Sequence, residues 1–174
     1  MKYLPDYIKD EVNAISTQAR PVYFHFDNWD GLCANLAETK KSPTYQNLRY
    51  PLVLMHNDYK EKRDKKVTQA TVTGLKIYII CQSSITGLGI NPETYTIQQR
   101  YDSIYQLIIN PIYDDLLLQM KRSNNFEKEF MRIPHEKKDL YKLWVGDKMN
   151  RLPDSLDATE LSFDPIIYNL NKFS

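Results

Sequence analysis

The chain has 174 residues, of which 42% are apolar and 26% charged, with only five glycines and a formal charge of +1. That composition excludes a disordered tail, a collagen-like repeat and a low-complexity linker, and the near-zero charge gives no bulk attraction for nucleic acid or an anionic membrane. One domain of this length buries roughly 70% of the surface its unfolded chain exposes, so it needs no metal or disulfide staple.

The two cysteines, Cys33 and Cys81, fit neither a zinc-ligand spacing nor a disulfide framework, and their apolar surroundings suit reduced core residues of an intracellular protein. The N-terminus, MKYLPDYIKDEV, has no continuous apolar run and does not read as a signal peptide. The most apolar stretch, Leu75 to Cys81, is far shorter than the ~20 residues a membrane helix needs. Thirteen tyrosines suit half-buried positions and protein interfaces, because each joins a flat apolar body to a polar tip.

Along the chain, Leu4, Ile8, Val12 and Ile15 share one helical face over residues 4–19, with Asp6, Lys9, Asp10 and Glu11 on the other. Pro5 fits the first turn and Pro21 ends the helix. Val22 to Phe26 is a short β-type run. Asp27-Asn28 then caps a second helix in which Trp29, Leu32, Cys33 and Leu36 line one face. Tyr50 to Met55 reads as a buried strand opened by a proline. His56 to Lys66 is polar and charged, and Val67 to Cys81 reads as one long strand with Gly74 marking a bulge. Together these make a long hairpin.

Residues 83–92 form a loop. Thr94 or Thr96 caps a long helix carrying Tyr101, Ile104, Tyr105, Ile108, Ile112, Leu116 and Met120, and Pro111 should kink or divide it near Asn110. Phe126–Ile133 and Asp139–Val145 are candidate short strands. Thr159–Leu170 reads as a final strand in which Pro165 suggests an edge position or a bulge. The expected fold is therefore a single α+β domain over residues 1–174. It has an N-terminal amphipathic helix (1–20), a core (22–122) and a C-terminal extension (123–174). Its small, mainly antiparallel sheet carries the long hairpin and is flanked by helices, one of them kinked at proline.

Chemistry is sparse. Gly87-Leu88-Gly89 lacks the third glycine and the strand-to-helix setting of a dinucleotide site. His25, His56 and His135 have no ligand partner at helical metal spacing, and they read as a sheet-face residue, a strand-end residue and a surface residue. Cys33 lies on an apolar helix face, unlike an activated thiolate. Asp114-Asp115 are neighbours on a helix and point about 100° apart. The expectation is that the chain is no enzyme and takes no metal or cofactor.

Two stretches point elsewhere. The charged arm 57–66, with Tyr59, Lys60, Lys62, Arg63, Lys65 and Lys66, is either a solvated hairpin tip or an arm that reaches a neighbouring subunit or a nucleic-acid backbone. In Phe126–Arg151, basic residues including Arg132 and Lys142 alternate with Phe130, Tyr141 and Trp144. That pattern serves a partner-docking surface or, as the competing reading, an accessory protein that binds single-stranded nucleic acid.

The order of these blocks carries a resemblance. The aromatic strand Val22–Phe26 leads into a helix, and Leu48-Arg49-Tyr50-Pro51-Leu52-Val53-Leu54 follows. After a charged turn come a strand ending in Ile77–Ile80 and the helix with Arg100-Tyr101 and Asn110-Pro111-Ile112-Tyr113-Asp114-Asp115-Leu116-Leu117. Over Val22–Met120 this resembles the small neck and tail-completion proteins of tailed phages infecting gut Bacteroidetes, including crAss-like phages. The resemblance implies a tail-terminator-like subunit of a homo-oligomeric ring in the head–tail connector. It would be made in the host cytoplasm and built into the neck or tail of the virion, beside portal and tail proteins. It further implies a long hairpin reaching the adjacent subunit, DNA passing through the lumen without sequence recognition, no membrane partner and no catalytic residues.

Overall fold

A computed structural model describes residues 2–40, 50–63, 68–82, 96–127, 133–140 and 156–170. The fold is α+β. In chain order its elements are α1 (Leu4–Ile15), β1 (Tyr23–Asp27), α2 (Trp29–Lys40), β2 (Leu52–His56), β3 (Lys60–Arg63), β4 (Gln69–Thr73) and β5 (Leu75–Gln82). Then come α3 (Ile97–Arg100), a π-helical segment (Tyr101–Ile109), α4 (Asn110–Arg122), β6 (Glu136–Leu140), β7 (Leu156–Phe163) and β8 (Ile166–Asn169). Among these described residues no helix is long and apolar enough to cross a membrane.

A main sheet runs in the order β1-β2-β5-β7-β6, and a smaller one in the order β3-β4-β8. Among the described strands only β1 and β2 pair in parallel, the geometry that needs a crossover, and α2 lies on the connection between them. One face of the main sheet packs Val53, Met55, Ile77, Ile79, Leu161 and Phe163 against α1, the π-helical segment and α4. The opposite face packs Leu52, Leu54, Ile80 and Ala158 against Leu32 and Leu36 of α2.

Both N-terminal helices form for reasons visible in the sequence. The Asp6 carboxylate reaches back to accept the Tyr3 N–H at 2.8 Å, satisfying one of the free donors at the start of α1. Asn28 Oδ1 accepts the Gly31 N–H at 2.9 Å and caps α2. Leu4, Ile8, Val12 and Ile15 are buried, as their spacing requires. Helix α1 ends at Ile15, four residues short of the expected Ala19. Glu11, expected on the solvent side, is only 2% exposed and accepts hydrogen bonds from Gln119 Nε2 (3.1 Å) and Asn125 Nδ2 (2.8 Å), tying α1 to α4.

The expected strand Val67–Cys81 is two strands in two sheets. In β4 the buried residues are even-numbered, Ala70 and Val72, whereas in β5 the same core takes the odd-numbered Leu75, Ile77 and Ile79. An uninterrupted strand alternates faces strictly, so one residue must reset the parity. Gly74 does so with φ +71°, a left-handed conformation that costs side-chain-bearing residues about 1–2 kcal/mol. A Cβ added there meets nothing within 4 Å. Gly74→Ala is therefore expected to lose about 1–2 kcal/mol through the dihedral alone, measured by urea denaturation, and an unchanged midpoint would refute the account.

The expected final strand divides in the same way. Leu161 and Phe163 of β7 and then Ile166 and Tyr168 of β8 face the core, with the parity reset at Asp164-Pro165. Pro165 has no N–H to continue a ladder. β7 lies between β5 and β6, so the segment expected as an extension supplies an interior strand, while β8, which follows Pro165, stands at the edge of the smaller sheet as the proline suggests. The third break falls at Asn57–Tyr59, between β2 and β3. These three breaks lie side by side, and the sheet folds over along them.

The candidate strand Asp139–Val145 begins earlier, as β6, with residues 141–145 outside the described part. Of Phe126–Ile133, Phe126 makes only an isolated bridge to Tyr168, and 128–132 lie outside the described residues.

Thr96 caps the long helix with Gln99 reciprocating. Where a kink was expected, the turns before Pro111 widen into a π-helix, and the Asn110 N–H bonds Tyr105 O. In an α-helix the Pro111 ring would meet the carbonyl four residues earlier; the wider register removes that clash. It also brings Ile109 into the core, fully buried, whereas a 3.6-residue period favours Ile108, which is half-buried.

Candidate functional site

The fold line exposes an open cleft of about 580 Å³, lined by Trp29, His56, Asp58, Tyr59, Lys60, Thr73, Gly74, Lys76, Tyr78 and Asp164. It joins the start of α2, the end of β2, the base of the β3–β4 hairpin and the start of β5. Its floor is set by sheet register. Tyr78 stands opposite Glu160, and Lys76 opposite Ser162. Ser162 Oγ donates to Glu160 Oε1 at 3.1 Å, and Lys76 Nζ lies 3.6 Å from the same carboxylate.

The ring of Tyr78 meets Trp29 edge-on at 4.9 Å and His56 at 6.3 Å. Burial, and then its hydrogen bond to Glu160, push the Tyr78 phenol well above its ordinary value. It therefore serves as a hydrogen-bond donor and not as a base. The Asp58 N–H donates to His56 Nδ1 at 3.3 Å, leaving the proton of a neutral imidazole on Nε2. The cleft thus offers aromatic faces for stacking beside cations at Lys60 and Lys76 and carboxylates at Asp58 and Asp164, which suits a polypeptide segment of mixed polarity.

Burial alone would raise the pKa of Glu160, but the Tyr78 hydrogen bond and the Lys76 charge outweigh it and hold the carboxyl below its usual range. A depressed folded-state pKa contributes stability above the unfolded value, and this is lost as pH falls through the folded value. Glu160→Gln is accordingly expected to flatten the acid limb of the stability–pH profile below the ordinary carboxylate range. A parallel pair of profiles for variant and parent would refute this.

The arm residues fall into two groups. Lys60 and Lys62 are exposed on β3. Tyr59 is half-buried, packs against the main core and touches the Phe26 ring at 6.5 Å between centroids. Arg63 turns inward: it pairs with Glu61, donates to Tyr168 Oη at 3.2 Å and covers the Tyr3 ring at 5.0 Å. The far end of β3 is thus anchored to Tyr3 at the start of α1 and to β8. Lys65 and Lys66 lie outside the described residues, as do Phe130, Arg132, Tyr141, Lys142 and Trp144 of the expected docking segment.

Within that segment Lys137 engages its own fold, bonding Asn110 Oδ1 at 2.8 Å, approaching Asp139 at 3.7 Å and covering the Tyr113 ring at 4.8 Å. His135, expected at the surface, is half-buried. Its Nδ1–H donates to Ile133 O at 2.8 Å, and its Nε2 accepts from Tyr113 Oη at 2.9 Å. His25 lies on β1, with Nε2 buried and unpartnered and 3.9 Å from an Asp27 oxygen.

Cys33 and Cys81 are both buried and neither is in a disulfide, and burial with the neighbouring Asp157 pushes the Cys81 thiol up to about 12. Among the described residues no group of three or more His, Cys, Asp or Glu is placed to hold a metal ion.

The cleft residues Trp29, Lys76, Tyr78, Glu160 and Ser162 were not singled out from the sequence. The available signal was the polar alternation of Lys76, Tyr78 and Gln82 within an otherwise apolar strand, which marks a face that is not fully covered. The partner carboxylate lies too far along the chain for spacing to reveal it.

No protein-family model matches the chain, and no curated protein and no solved structure matches it.

Proposed function

We propose that the chain is a structural virion protein, a ring-forming subunit of a phage head–tail connector in the neck or at the top of the tail, through which DNA passes without sequence recognition. Its neighbours would be further copies of itself and the portal, neck and tail proteins. The reading rests on the resemblance of Val22–Met120 to neck and tail-completion proteins. The structural observation that supports it is the bent ribbon: beyond the main-sheet strands β2 and β5 the chain continues as β3 and β4 of the smaller sheet, with Lys60 and Lys62 exposed and the far end of β3 held by Arg63 and Tyr168. A stiff ribbon with a cationic outer face suits contact with an adjacent subunit or with phosphates in a lumen. The cleft beside its base would receive a segment of the neighbouring subunit.

Light scattering of the purified protein with portal and tail proteins added is expected to give one discrete large oligomer. Replacing Lys60, Lys62, Lys65 and Lys66 together with alanine, while leaving the anchoring Arg63 intact, is expected to yield folded subunits that no longer close into that oligomer or retain DNA. Assembly and infectivity equal to the parent would sink the role of the arm. A chain that stays monomeric with every neck component, yet binds DNA with steep salt dependence, would favour the accessory nucleic-acid reading.

A further inference from the structure

Strand β1 is an edge of the main sheet, paired on one side only. The Tyr23 N–H bonds Pro51 O at 3.0 Å and the Asn57 N–H bonds Asp27 O at 3.3 Å. In a parallel ladder this directs the backbone groups of Tyr23, His25 and Asp27 toward β2 and those of Phe24 and Phe26 outward. No described residue takes up the outward groups.

The other edges differ. The outer side of β8 is covered, with the Glu127 N–H on Ile167 O at 2.8 Å and the Asn169 N–H on Asn125 O at 2.6 Å. β3 carries exposed Lys60 and Lys62, and β6 carries exposed Glu136, Lys137 and Lys138, the charges that ordinarily keep an edge from pairing. β1 has no lysine or proline, and Phe26 is 40% exposed.

We propose that β1 pairs antiparallel with β1 of a second copy of this chain, across a two-fold axis at His25. A two-fold interface requires a self-complementary patch, and Phe24-His25-Phe26 reads the same in both directions. With Phe24 opposite Phe26 of the second copy, all the outward N–H and C=O groups of these residues are satisfied, and two aromatic cross-strand pairs form. The one charged residue of the strand, Asp27, falls opposite Tyr23 of the other copy, so no like charges meet.

His25 then occupies the central non-hydrogen-bonded pair, where Cα atoms stand about 4.5 Å apart. Its Nε2 is the orphaned buried atom, and a turn of the ring, whose side chain is 21% exposed, toward the facing imidazole supplies the missing partner, one ring donating and the other accepting. Burial holds the His25 pKa below its ordinary value against the pull of Asp27, so both rings meet uncharged at neutral pH. This contact is independent of the ring reading, since head-to-tail ring contacts join two different patches and this one joins a patch to itself.

The geometry is testable by cross-linking. Cα atoms about 4.5 Å apart fall within disulfide reach, so oxidised His25→Cys is expected to form a covalent dimer readily, while Phe26→Cys, whose own copy lies two residues out of register, is not. Phe26→Pro removes the outward N–H and the Phe26 ring of both cross-strand pairs while sparing the ladder to β2, and is expected to abolish the two-fold mass, twice the 20.6 kDa of one chain, that the parent shows by light scattering, with its circular dichroism retained. If the proline variant unfolds, the cysteine pair decides alone. Equal cross-linking of the two cysteine variants, no cross-linking of either, or a parent mass of one chain at every concentration overturns the proposal.

Discussion

Replacing Asp157 with alanine is expected to lower the unfolding free energy by about 3–5 kcal/mol, the cost of leaving a buried charge without its partner. Asp157 lies on β7 opposite Cys81, with its side chain fully buried, and Arg100 of α3 donates to it at 2.7 Å from a side chain that is 4% exposed. The pair joins the start of the long helix to an interior strand of the main sheet. Without the carboxylate, the guanidinium either stays desolvated or drags the end of α3 out toward water. Replacing both partners with apolar residues of similar volume, Arg100→Met with Asp157→Leu, is expected to recover most of the loss, because both desolvation penalties go together. Guanidinium denaturation of the three proteins checks this. A single variant within about 1 kcal/mol of the parent would mean that the pair behaves like an exposed one.

A second large effect is expected at Tyr168, where β8 anchors the small sheet. Its ring is fully buried and packs on Tyr7 at 5.3 Å between centroids. Its hydroxyl donates to Glu61 Oε2 at 3.0 Å and accepts from Arg63. Tyr168→Ala removes the ring and is expected to lose about 3–5 kcal/mol, as large aromatic truncations in cores do. Tyr168→Phe keeps the ring and removes only the two hydrogen bonds of the hydroxyl to charged groups, for a loss of about 1.5–3 kcal/mol.

The two substitutions also separate global from local effects. With the ring gone, β3 loses its hold on α1 and β8, so trypsin is expected to cut after Lys60 and Lys62 sooner than global unfolding allows, a sign of local opening. Equal losses for the two variants would show that the ring carries little. Cleavage that tracks global stability would show that the ribbon does not open on its own.

The helices α1 and α2 and the cap at Thr96 were legible because their signals are local. Apolar residues recur every three or four positions, and a polar residue stands where the first turn needs an acceptor. The hairpin from Leu52 to Ile80 was legible for the same reason, as two apolar strands around a charged turn. The arm was legible only as composition: the chain shows five basic residues between Asn57 and Lys66, but not that Arg63 turns inward to Tyr168. The face of Glu11 was misjudged because helical spacing gives an angle, and whether that angle meets solvent depends on α4 and on Asn125.

What the sequence by itself determined is therefore the order of α1, β1, α2, β2 and the long helix, the α+β class and the capped ends of the helices. Each of these follows from residues within a turn or a strand of one another, while Lys60–Arg63, read as part of a charged loop, is a strand. Only the tertiary structure decided where the strands break and change faces, because parity at Gly74 and at Asp164-Pro165 is set by which side meets the common core. It alone placed Ile109 inside, through the wide turns that Pro111 demands, and brought Tyr78 to Glu160 across the β5–β7 register. It also left β1 with one partner among the described residues and an aromatic edge that none of them pairs with, since a strand becomes an edge only through the position of all the others.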